Sequence, residues 1–153
     1  MDAFVKAFVK ASVVWLALGT VFGMAMAGVP ALTVYRAIHV HIMLLGFVTM
    51  FINGVAYHVV PRLAGRPLWS TRGAVWHWWF ANAGLCVMIA GFWLRASGRA
   101  LDTAVLSAGG TITSIAILIF VLQVWRTIDA PAPAAPAMPL VPLSLRARAA
   151  QPQ

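Results

Sequence analysis

The chemistry open to this chain rests on four histidines, His39, His41, His58 and His77. Neutral imidazole is the commonest protein ligand for metals, and His39-Val40-His41 sets two such rings side by side in the sequence. Other chemistries lack their parts. Asp2, Asp102 and Asp129 are the only acids, so no paired carboxylates exist for acid–base work, and there is neither a glycine-rich phosphate loop nor a Ser-His-Asp set. The pair therefore reads as a candidate site for haem iron or another metal.

The elements that hold these histidines belong in lipid. Of 153 residues, 62% are hydrophobic and 9% charged, well outside the balance of a soluble domain. Four apolar runs, at 4–29, 37–60, 74–94 and 101–125, are each long enough for the ~20-residue helix that spans a bilayer core. Pro30 is expected to close the first and Pro61 the second, and the Arg95–Arg99 turn separates the last two. Short connections predict antiparallel neighbours. The fold class is all-α, an integral membrane four-helix bundle over 1–128, followed by an Ala/Pro-rich tail, 129–153, expected to be disordered.

The net charge of +8 comes from single basic residues at the ends of apolar runs, a membrane pattern and not a nucleic-acid stripe. Lys6, Lys10, Arg62, Arg66, Arg72 and Arg126 fall on one side, against Arg36, Arg95 and Arg99 on the other. The excess predicts both termini in the cytoplasm of a bacterial-type inner membrane, with multiple passes. Lys6, Lys10 and Ala25-Met26-Ala27 before Gly28 also resemble a signal peptide. The apolar stretch exceeds the ~7–15 residues of a signal core, so a retained helix is expected.

Helix geometry sorts the histidines into two levels. At about 1.5 Å per residue, His39 and His58 lie roughly 28 Å apart, at opposite faces of the bilayer, with His77 on the side of His58. On an unbroken α-helix two residues turn the direction by about 200°, so His39 and His41 cannot chelate one ion. His39 is expected to share a face with Gly46, Asn53 and Tyr57, suited to the bundle interior or a flat cofactor. His41 falls with Leu45, Val48, Ile52, Val55 and Val59, a face for lipid or a partner subunit. His58 and His77 form a weaker second candidate level.

Arg36-Ala37-Ile38-His39, followed on the same helix by Gly46, Tyr57 and Pro61, resembles the second transmembrane helix of the haem-copper oxidase catalytic subunit, particularly the C-type oxidases and nitric oxide reductases. His39-Val40-His41 through Gly46-Phe47, with His77-Trp78-Trp79-Phe80-Ala81-Asn82-Ala83-Gly84, is similar to short four-helix proteins described as subunit-I-like. The resemblance covers residues 36 to 84. It implies that His39 is an axial ligand of haem b. A full oxidase core needs about twelve helices and further haem and copper ligands, so four helices are not expected to reduce oxygen or nitric oxide alone. The second axial ligand could come from His39 or His41 of another protomer, from Met24 or Met26, or be absent for a small gas.

These residues lead to a membrane haem protein for electron transfer or for sensing nitric oxide or oxygen, as a homo-oligomer or within a larger respiratory complex. Copper is the alternative cofactor: Met24, Met26, His39, His41 and Met43 offer the thioether and imidazole groups that suit copper(I), as in copper or haem delivery to an oxidase. An accessory subunit without cofactor is the third reading. Elsewhere, Asp102 is expected to cap the fourth helix beside Arg99, Cys86 to be a buried thiol, and Ser107, Gly109 and Gly110 to mark close helix contact.

Overall fold

A computed structural model describes residues 2–129, all helical apart from short connections. Four helices are long and apolar enough to cross a membrane: α1 (Ala3–Gly28), α2 (Pro30–Leu63), α3 (Thr71–Ala96) and α4 (Asp102–Asp129). From residue 130 on, the expected disordered tail lies outside the described residues.

Pro30 does not simply end the first span; it opens α2, whose first turns, Pro30–Tyr35, are 3₁₀. The helix is α over Arg36–His41, widens to π over Ile42–Thr49 and returns to α for Met50–Leu63. Pro61 was expected to close this helix but sits inside its last turn. The stop comes later, at Gly65 with φ +64°. There the Gly65 amide donates to Arg62 O at 3.1 Å and the Arg66 amide to Pro61 O at 3.0 Å, a Schellman closure that satisfies the last carbonyls.

The π stretch decides which residues of α2 face the bundle. On an unbroken α-helix Ile38 and Gly54 would point about 160° apart. The wider π turn, bonded i to i+5, turns less per residue, and brings Ile38, Ile42, Gly46, Met50 and Gly54 onto one buried seam. Along that seam, as α1 advances from Phe8 to Gly23, its partners on α2 recede from Gly54 to His39. Val5, Phe8, Met50, Tyr57 and Ala74 form the buried core where α1, α2 and α3 meet.

Helices α3 and α4 make the most extensive pairing in the bundle. Glycine permits it: a Cβ at Gly109 would lie 2.6 Å from the Met88 amide nitrogen, and one at Gly91 2.8 Å from that of Leu106. Such backbone approach is how membrane helices associate without a hydrophobic drive. Gly110, by contrast, faces open space, and Ser107 is exposed. Gly109→Val should force the two backbones apart, costing about 1–3 kcal/mol, seen as earlier thermal loss of helix signal in detergent; Gly110→Val should leave the transition in place.

Two polar side chains of α4 organise the entry to α3. Gln123 accepts from the Ser70 amide at 3.1 Å and donates to Ser70 O at 2.5 Å, while Thr127 Oγ1 accepts from the Trp69 amide at 3.1 Å. Both are fully buried, so unpaired loop backbone near lipid is supplied with partners. Ser70 Oγ then caps α3 at Gly73 N, 3.1 Å away. At the other end Asp102 pairs with Arg95 at 2.8 Å, not with Arg99, whose guanidinium lies over Trp93. Cys86 is exposed, against the expectation of a buried thiol.

Candidate functional site

His39 packs toward α1. Its Nδ1–H donates to Gly19 O at 3.1 Å, and its ring fills the notch left by Gly23, where a Cβ would meet Cε1 at 2.8 Å. Gly19 and Gly23 form a small-xxx-small pair that admits His39 and the Met43 thioether between the helices. That i, i+4 glycine spacing is legible in the sequence itself.

His41 takes the opposite side, and not the one expected. Its ring lies 4.6 Å from that of Phe92 on α3, and Nδ1–H donates to Ala37 O at 2.8 Å. It therefore stays within its own bundle instead of facing lipid or a second subunit. The π stretch is the cause: it swings the helix so that His41, and not His39, shares the α3-facing side with Asn53 and Tyr57. Val48, Ile52, Val55 and Val59 do face outward.

Ile38 and Ile42 back a cleft of about 620 Å³ that opens between α1, α2 and α3, and neither His39 nor His41 lines it. Its walls are aromatic and apolar, with Trp15 and Phe22 from α1, Tyr35 from α2 and Trp93 from α3. Gly46 does not contribute open room to it: the space above Gly46 is taken by the Trp15 side chain, 2.7 Å from where a Cβ would stand. Trp15 is held there by a hydrogen bond from Nε1 to Asn82 Oδ1 at 3.1 Å.

At the other level His77 is almost wholly buried, with 1% exposure. Asn53 Nδ2 donates to its Nε2 at 3.3 Å, which leaves the proton on Nδ1 to be donated to Tyr57 Oη at 2.8 Å. Phe8 and Phe120 pack on the ring at 4.9 and 5.5 Å between centroids. Tyr57, expected beside a cofactor near His39, is thus committed to His77, about 27 Å along the helix from His39. His58 is separate from this cluster, and its Nδ1 accepts from Arg62 Nη1 at 2.8 Å.

A carbonyl can only accept, so His39 and His41 both carry the proton on Nδ1 and present a lone pair at Nε2. Among the described residues no hydrogen bond engages Nε2 of either ring. A backbone carbonyl on the far nitrogen is the usual support that orients a ligating imidazole. His77 uses both nitrogens internally, and His58 has a guanidinium against it. Among the described residues no three His, Cys, Asp or Glu side chains cluster to hold a metal. At the His39 level the donors on offer are thus single imidazole nitrogens, one on each side of α2. Of the methionines, Met24 is 70% exposed and the Met43 sulfur is wedged against Gly19.

The chain is 34% identical over 76 residues to the Cbb3-type cytochrome c oxidase subunit CcoN1 of Stutzerimonas stutzeri, covering 49% of this chain and 16% of that protein. It is 38% identical over 64 residues to a cytochrome c oxidase subunit 1 homolog of Agrobacterium tumefaciens, covering 41% of this chain and 12% of the relative. The matched stretch is thus a small part of either relative's length. Residues 3–143 match the family described as Cytochrome C and Quinol oxidase polypeptide I, and the chain belongs to that family.

Proposed function

We propose that this chain is a membrane haem-binding protein of the b type, with His39 as the axial ligand, serving electron transfer or the binding of a diatomic gas. The observation that carries the reading is the free Nε2 of His39 on a ring whose Nδ1 is fixed to Gly19 O. Haem would supply one-electron redox and gas-binding chemistry. The chain's own part is to orient the imidazole through Gly19. His41, with the same tautomer but on the α3 side, is the second candidate ligand. Short connections support antiparallel neighbours, and the unequal spread of basic residues supports both termini in the cytoplasm of a bacterial inner membrane. Family membership supports a place in a respiratory complex.

The test is the absorption spectrum of the full chain purified in detergent after expression with haem available. A Soret band, with a pyridine haemochrome of the b type, is expected. A colourless protein that also takes up no haem on reconstitution would overturn the reading.

A further inference from the structure

At the end of the bundle opposite His39, a cleft of about 750 Å³ lies between the first turn of α1, the end of α2 and the start of α3. Phe4, Tyr57 and Leu68 give it apolar walls, while Arg62, Arg66, Thr71 and Asp2 supply its polar lining. The α2 terminus places the arginines. Gly65 in the left-handed conformation reverses the chain, so that Arg66 follows directly on the Schellman closure and returns toward the cleft. Arg66 Nε donates to Ala64 O at 3.1 Å, but its Nη1 is out of contact with solvent and has no hydrogen-bond partner.

That covered nitrogen cannot itself meet an occupant of the cleft, whereas Nη2, which makes no hydrogen bond among the described residues, is the Arg66 donor left for an acceptor. The second arginine, Arg62, reaches back to His58 and keeps further N–H groups free for an acceptor. Two guanidinium groups against one carboxylate leave the cleft cationic. It sits where four apolar spans meet the interface, so its occupant must combine an anionic oxygen cluster with an apolar body. Arginine forks match the phosphate geometry, and basic pockets between membrane helices hold anionic head groups.

We propose that this cleft binds the phosphodiester of an anionic phospholipid, with Arg66 and Arg62 on the phosphate and Phe4 and Leu68 along the first carbons of the acyl chains. Asp2 opposes this and tunes the site down.

The full chain in nanodiscs of equal phosphatidylglycerol and phosphatidylcholine, released for native mass spectrometry, tests the assignment. Wild type is expected to retain phosphatidylglycerol over phosphatidylcholine. Each of R66Q and R62Q should lower that preference about five-fold, R99Q at the far end should leave it unchanged, and D2N should raise it. R66K, which keeps the charge but loses the fork, should fall between wild type and R66Q; it decides the matter if R66Q loses helix content by circular dichroism. Equal retention of the two lipids by wild type, unchanged preference in a folded R66K together with R62Q, or a fall in D2N would each overturn the proposal. So would displacement of the lipid by millimolar inorganic phosphate, which would make this a site for free phosphate.

Discussion

His39→Ala should yield a folded, helical protein that retains haem at least about ten-fold more weakly than wild type. The fold survives because His39 is only half-buried and makes one side-chain bond, to a carbonyl of α1 that keeps its own helical partner. Losing that bond costs about 1 kcal/mol. The loss of haem is large because the residues that merely orient a ligating histidine already affect metal affinity by about 10–100-fold, and removal of the ligand itself exceeds that. Haem content per protein, measured by pyridine haemochrome alongside far-ultraviolet circular dichroism, separates the two effects. His41→Ala should keep most of the haem. If instead His39→Ala stays fully coloured and His41→Ala bleaches, the ligand lies on the α3 side and the assignment of His39 fails.

His77→Ala should be the most destabilising single change in the bundle, with no direct effect on haem. It opens a cavity between Phe8, Tyr57 and Phe120 and strips Asn53 and Tyr57 Oη of their shared partner in the buried interior. The cavity costs about 2–4 kcal/mol, and each interhelical hydrogen bond in a membrane about 0.6 kcal/mol. Their sum, roughly 3–5 kcal/mol, should lower the detergent unfolding midpoint by about 10 °C or more. His58→Ala, which removes a ring bonded only to Arg62 one turn away, should stay within about 0.5 kcal/mol of wild type. Comparable midpoints for the two variants would show that the buried His77 network does not hold α2 to α3.

The sequence made the coarse plan legible because lipid imposes it. Apolar runs of spanning length had to be helices, and the rise per residue had to put His39 and His77 at different depths. The π stretch was not legible, since Ile42–Val48 is apolar throughout and Thr49 alone, at its end, cannot report a phase. Reading α2 as one α-helix placed His39 above Asn53 and Tyr57, where His41 in fact points the same way as they do. The same limit explains Gly46: glycine in an apolar helix signals close approach, but whether by a macrocycle or by Trp15 depends on the neighbouring helix. Gln123 is legible as the first polar residue after the apolar run Ile115–Leu122, with Thr127 one turn beyond it. The Gln123 and Thr127 side chains answer a need of the loop at residues 69 and 70, which hydropathy does not register.

The π turns of α2 also act as a coupling between two parts that could otherwise vary independently. Below them, Asn53 and Tyr57 are locked to His77; above them, His39 and His41 are aimed at α1 and α3. Deleting one residue within Ile42–Thr49 would tighten the helix and turn everything before it by about 100°, carrying both imidazoles to new neighbours while the lower network kept its register. The same turn would carry Ile38 off the buried seam, so the aim of the imidazoles and the upper packing against α1 are set together by the π stretch.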